Sequence, residues 1–143
     1  MNQNADSGPL GDSAARGLLD LARGARGNAY APYSNFPVGA ALLADDGRVF
    51  TGVNVENASY GLTTCAERAA VARAVAEGVR GFRAIAVAGP HDGVACPPCG
   101  SCRQILHEMG PDLVVVTDGP GDAPQLTSLR TLLPSAFGPE RLP

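Results

Sequence analysis

The chain has 143 residues, 45% of them hydrophobic and 17% charged, with a formal net charge of -3. That length fits one domain with a real core, and the apolar content is too high for a disordered chain. No apolar run approaches the roughly 20 residues of a membrane span, and with no Lys/Arg block the chain is poorly suited to coating nucleic acid, which requires many phosphates to be neutralised.

The start, Met1-Asn2-Gln3-Asn4-Ala5-Asp6, has neither a basic patch nor an apolar run, so it does not read as a signal peptide and a cytoplasmic location is expected. Residues 1–11 read as a flexible polar tail, and residues 12–143 as a single domain. Asp12 or Ser13 is expected to cap a first helix running to about Asn28, with Ala14, Leu18, Leu21 or Ala22, and Ala25 on its inner face. Gly17, Gly24 and Gly27 weaken that helix, so packing must hold it. Tyr30-Ala31-Pro32-Tyr33 is an exit loop, because proline disfavours helix at Ala31.

Residues 38–44 read as a strand, Asp45-Asp46-Gly47 as a hairpin turn and residues 48–55 as the partner strand. Asn54-Val55-Glu56-Asn57 then leaves the sheet. Residues 64–77 form the clearest helix, ended by Gly78. Residues 82–88 are almost continuously apolar, as in a strand covered on both faces. A short helix over residues 101–109 follows Pro98-Cys99-Gly100, and residues 113–117 read as another buried strand. Residues 118–124 are turn-rich, and Thr127 or Ser128 caps a last helix ending near Leu133. A hairpin followed by alternating helices and strands implies a mixed sheet with helices on both faces. In such sheets the ligand crevice lies outside the carboxyl ends of strands.

The chemistry concentrates in four cysteines, Cys65, Cys96, Cys99 and Cys102. Without an export signal, metal binding or catalysis is a better reading than a disulfide framework. Cys99-Gly100-Ser101-Cys102 opens one helix and Cys65 opens another. Helix N-termini stabilise thiolates, so two of them aimed at one point can assemble a three-thiolate zinc site. Glu67, two residues beyond Cys65, can lie beside the metal without binding it and serve as a general acid–base. Three alternatives stand beside this reading. Thr64 and Glu67 match a capping box. The C-x2-C alone can be a redox motif. Cys96 can join the other three in a closed, non-catalytic four-cysteine site.

Cys65-Ala66-Glu67-Arg68 followed by Pro98-Cys99-Gly100-Ser101-Cys102-Arg103-Gln104 resembles the free-nucleoside cytidine deaminases of the small, homotetrameric type. Tyr33-Ser34-Asn35-Phe36-Pro37-Val38-Gly39-Ala40-Ala41-Leu42 is similar to that family's first-strand motif. Asn54-Val55-Glu56-Asn57-Ala58 is similar to its ribose-binding loop, and Leu132-Leu133-Pro134-Ser135-Ala136-Phe137 to its C-terminal motif. The resemblance covers about residues 30–138, with the motifs in the family's order.

This resemblance implies a three-layer α-β-α sandwich on a mixed sheet of about five strands. It implies one Zn²⁺ per subunit on Cys65, Cys99 and Cys102, with Glu67 as proton shuttle. Phe36 would flank the pyrimidine, Asn54 and Glu56 would bond the sugar hydroxyls, and Ala66 would line the substrate site. Phe137 would stack on the base from a neighbouring subunit, with Tyr60 near that boundary. Arg68 would draw charge from the thiolates, which otherwise leave the zinc cluster at net -1. The implied activity is hydrolytic deamination of cytidine and 2′-deoxycytidine in pyrimidine salvage, by a homotetramer with shared active sites and without nucleic-acid or membrane partners. A blasticidin-S-type deaminase is the nearest enzymatic alternative. Cys96 departs from the family pattern, and Arg103 and Gln104 carry no assigned role.

Overall fold

A computed structural model describes residues 9–143; most of the expected N-terminal tail, residues 1–8, lies outside the described residues. The elements are α1 (Asp12–Arg26), β1 (Gly39–Ala44), β2 (Val49–Val53), α2 (Ala66–Ala76), β3 (Phe82–Ala88), α3 (Gly100–Met109), β4 (Val114–Asp118), β5 (Pro124–Ser128) and α4 (Leu129–Leu132). The strands form one sheet in the order β2-β1-β3-β4-β5. β1 is antiparallel to both β2 and β3, β3 and β4 are parallel, and β5 returns antiparallel to β4. Among the described residues no helix is long and apolar enough to cross a membrane.

Alternation along the strands divides the core in two, as a period of two requires. Ala40, Leu42, Ile85, Val87 and Val115 face α2, α3 and α4. Ala41, Ala84, Ala86, Ala88 and Val116 face α1. The α1 side is nearly all alanine, so that helix sits close to the sheet. Its inner stripe is Ala15, Leu18, Leu19 and Ala22. Of the expected face, Leu18 and Ala22 are buried, but Ala14 and Leu21 point to solvent, because the i, i+3, i+4, i+7 series from Ala15 is the complete one. Burying Leu18 and Leu19 contributes about 1.5–3 kcal/mol each, which offsets the helix-weakening glycines.

Several ends differ from expectation for identifiable reasons. Gly11, not Asp12 or Ser13, is the N-cap of α1, and no side chain caps it. α2 starts at Ala66 because the Thr64 N–H and carbonyl are both engaged with Val55 in an isolated bridge. Gly78 closes α2 as expected, at φ +88°, with its N–H on the Val75 carbonyl and the Val79 N–H on the Ala74 carbonyl. Ser128 caps α4, its Oγ accepting from the Thr131 N–H at 3.1 Å. The family likeness implies about five strands without placing the fifth, which is Pro124–Ser128, between the turn-rich stretch and the last helix. It is a half-exposed edge strand, with proline at its first position where no ladder donor is needed.

Candidate active site

Both zinc-motif helices start at one end of the sheet, and a cysteine begins each. Cys65 is the N-cap of α2 and Cys99 the N-cap of α3, neither making a side-chain cap bond. The C-x2-C spacing then places Cys102 in the first turn of α3, pointing inward and fully buried. The sulfurs of Cys65, Cys99 and Cys102 all lie within 4.8 Å of one another, and they form the metal-ligating group found among the described residues. Tetrahedral zinc with Zn–S near 2.3 Å brings sulfurs to about 3.8 Å, so this set fits the ion. The Nε of Arg68 is buried without a hydrogen-bond partner, while its Nη2 donates to the Thr63 carbonyl at 2.8 Å. An orphaned guanidinium donor whose charge favours the Cys65 thiolate suits an anionic cluster.

Cys96 does not complete a four-sulfur set, so the closed-site alternative has no geometric support. It lies instead in the wall of the cavity, and burial together with the Glu67 charge pushes its thiol up to about 11. Burial also raises Cys65 and Cys102. Cys99 goes the other way: burial pushes it up, but hydrogen bonds from the Cys102 backbone N–H and from the Cys102 and Cys65 thiols more than offset this.

Glu67 is buried in the first turn of α2, and the Cys102 thiol donates to its Oε2 at 3.6 Å. The capping box does not form, because Cys65 rather than Thr64 is the N-cap. Burial holds the Glu67 carboxyl above its ordinary range, against the opposing pull of its own backbone N–H, the Cys102 thiol and Arg68.

Cys65, Cys99 and Glu67 open on a cavity of about 360 Å³, lined also by Phe36, Asn54, Ala66 and Cys96, with Cys102 buried behind it. That volume lies within the roughly 300–1,000 Å³ of small-molecule sites. Asn54 is buried and already braces the entry to β1: its Oδ1 accepts from the Val38 N–H and its Nδ2 donates to the Phe36 carbonyl, each at 2.9 Å. One N–H and one lone pair remain for a ligand. Glu56 lines an adjoining cavity of about 280 Å³ with Tyr33, Ser34 and Tyr60; Thr63 borders both spaces. Its Oε1 accepts from the backbone N–H groups of Tyr33 and Ser34 at 2.9 and 3.1 Å. Ser34 hydrogen bonding is the main reason that carboxyl is held below its usual range.

Three of the expected substrate contacts stay outside the larger cavity of the single chain: Glu56 and Tyr60 line only the smaller one, and Phe137 lines neither. Tyr60 is 75% exposed and packs edge-on against Tyr33, and Phe137 is 59% exposed. Arg103 and Gln104 acquire clear partners. Arg103 donates to the carbonyls of Pro98 and Leu132 at 2.8 and 2.9 Å, and Gln104 donates to the Phe137 carbonyl at 2.8 Å. They tie the C-x2-C loop to the C-terminal segment. The motif marked both residues, but the acceptors on Leu132 and Phe137, 29 and 33 positions away, leave no local pattern.

Comparisons with known proteins agree with this geometry. A family model described as the cytidine and deoxycytidylate deaminase zinc-binding region matches residues 13–118. A cytidine deaminase of Sporosarcina psychrophila is 47% identical over 127 residues, covering 87% of this chain and 92% of that protein. The crystal structure of cytidine deaminase from Burkholderia pseudomallei has a TM-score of 0.78 at 53% identity, covering 85% of this chain and 97% of its own. The cytidine deaminase from Mycobacterium tuberculosis has a TM-score of 0.76 at 48% identity, covering 85% and 94%. Motif order, sheet topology and a zinc-ready thiol triad all converge with these matches, and the chain belongs to the cytidine and deoxycytidylate deaminase family.

Proposed function

We propose that this protein deaminates cytidine and 2′-deoxycytidine hydrolytically, giving uridine and 2′-deoxyuridine with release of ammonia. The observation that carries the reading is a buried carboxylate, Glu67, in the wall of a nucleoside-sized cavity and beside three converging thiols, two of which, Cys65 and Cys99, share that wall. Cys65, Cys99 and Cys102 would hold zinc, which when bound supplies the Lewis acidity that ionises water near neutral pH. Glu67 takes a proton from the attacking water and gives it to N3 of the cytosine ring as oxygen bonds to C4. It then moves the second proton to the exocyclic amine, and the C4–N bond breaks to leave ammonia. A carboxyl raised by burial suits both acceptance and return of a proton.

Phe36 and Ala66 border the base, while Asn54 and Glu56 offer hydrogen bonds to the sugar hydroxyls. Arg68 offsets the charge of three thiolates. These roles are supported by the lining of the two cavities and by the match of each residue to the family motif. The protein works as a homotetramer in which Phe137 and Tyr60 complete neighbouring sites; their exposure in the single chain supports this. Pyrimidine salvage in the cytoplasm is the matching role, since a compartment that keeps thiols reduced also keeps the ligands available.

The test is loss of cytidine ultraviolet absorbance, run beside blasticidin S and beside a sample treated with a zinc chelator. Turnover of both nucleosides, abolished by chelation and restored by zinc, is expected. Turnover of blasticidin S alone would replace the substrate, and turnover unaffected by complete zinc removal would overturn the mechanism.

A further inference from the structure

Helix α1 covers the sheet face away from the thiols, yet its last turns reach toward the cavity. Arg26 donates from Nη1 to the Gly89 carbonyl at 2.6 Å, and its Nη2 lies 2.7 Å from Asp92 Oδ1. Arg23, one turn earlier, pairs with Asp118, the fully buried carboxylate that ends β4, and its Nε is 3.6 Å from Asp92. Asp118 also accepts from the Gly93 N–H at 3.1 Å. Residues 89, 92 and 93 are thereby fastened, just before the chain runs on to Cys96 and Cys99.

Gly89 backs directly onto the cavity wall. A methyl group built there would lie 2.9 Å from Cys96 Cβ, 3.2 Å from Cys96 Sγ and 3.8 Å from Phe36 Cζ. Cys96 and Phe36 both line the larger cavity. The helix that carries the arginines is itself seated without slack. A Cβ on Gly39 would stand 2.0 Å from the Ala22 carbonyl oxygen and 2.6 Å from the Arg26 nitrogen. A continuous line of contacts therefore runs from α1, across the end of β3, to two side chains facing the substrate space.

We propose that Arg26, aided by Arg23 through Asp92 and Asp118, is a positioning residue that tethers the Gly89 backbone in place beside Cys96 and Phe36 and so sets the width of the base-binding cavity. The identity of the base rests on the cytidine deaminase reading; the clamp itself does not. Arg26 touches no reacting atom. Asp92 is half-exposed, so its ion pairs add little to global stability. Their effect is geometric, and misplacing a binding wall by about 1 Å can cost about 10²-fold in catalytic efficiency.

The experiment compares Arg26→Met, Arg26→Lys and Asp92→Asn with the unaltered, zinc-loaded full chain. Arg26→Met should raise KM about tenfold and leave kcat within about twofold, because binding rather than chemistry is loosened. Iodoacetamide labelling of Cys96, followed by peptide mapping, should accelerate several-fold while zinc stays at one per chain. Arg26→Lys should restore most of both, since an ammonium can still reach the carbonyl and the carboxylate. Asp92→Asn should move both readouts the same way by a smaller factor, and it carries the comparison alone if Arg26→Met does not fold. Unchanged KM and unchanged Cys96 labelling in the folded variants would overturn the proposal. So would a fall in kcat and zinc content with KM unaltered. If the unaltered protein turns over no cytidine, the substrate reading fails, whereas the labelling comparison still decides the clamp.

Discussion

Glu67 and Cys102 show how single residues acquire chemistry from position. Glu67 lies in the first turn of α2 and meets Cys102 from α3, a contact between residues 35 positions apart that brings a buried carboxyl to the thiol triad. Glu67→Gln keeps the shape and removes the titrating oxygen. We expect zinc to remain at one per chain by metal analysis while kcat falls by at least ~10²–10⁴-fold, the usual worth of acid–base catalysis. Near-normal turnover in that variant would remove Glu67 from the mechanism. These residues were legible in the sequence because ligand spacing is local: Cys99 and Cys102 must share one helical turn, and Cys65 and Glu67 another. Arg26 was not legible. Its acceptor on Gly89 lies 63 positions away, and no periodicity encodes a contact across a sheet edge.

At the scale of the elements, the approach of α2 to β2 sets where Cys65 and Glu67 stand. Gly52 permits that approach: a Cβ there would lie 2.4 Å from the Ala66 carbonyl oxygen and 2.5 Å from the Ala70 nitrogen. Both are backbone atoms, so neither can swing aside. Gly52→Ala should cost about 1–3 kcal/mol through overpacking, read from thermal or denaturant unfolding. It should also shift the start of α2, lowering zinc affinity and kcat/KM together. Gly17→Ala is the opposite case, with nothing within 4 Å of the added methyl. It should stabilise α1 by about 0.5–1 kcal/mol without altering activity. The helices, the hairpin and the two parallel strands could be read from apolar periodicity and turn residues. β5 could not, because Gln125, Leu126 and Thr127 on an exposed edge lack the apolar alternation that marks a half-buried strand. The inner face of the first helix is only partly legible, Leu18 and Ala22 but not Ala15 and Leu19, since its alanines offer several stripes and only packing on Ala41, Ala84, Ala86 and Ala88 selects one.

The whole molecule leaves several large aromatic and aliphatic side chains in solvent. Tyr60, Leu62 and Phe137 are each more than half exposed, and Gln104 fixes the backbone of Phe137. If neighbouring copies complete each site, specific activity should fall as the protein is diluted through its dissociation midpoint, measured in parallel by analytical ultracentrifugation. Equal activity on both sides of that midpoint would reject shared sites. Phe137→Ala should raise KM while leaving the unfolding midpoint of the single chain almost unchanged, as expected for an exposed ring. Composition carries no trace of such assembly, because the relevant residues read as ordinary surface until the fold shows which way they face.

Anchoring the thiols at the start of α2 and α3 has a consequence for how such a chain can vary. A helix of 11 residues at about 1.5 Å each places the far end of α2 about 16 Å from Cys65, where Gly78 closes it. Length polymorphism is therefore tolerable beyond the helix ends and intolerable within the first turns. An extra turn inserted after Ala76 lies far from the thiols, whereas one residue inserted between Cys65 and Glu67, or between Cys99 and Cys102, would rotate a side chain by about 100° off its target.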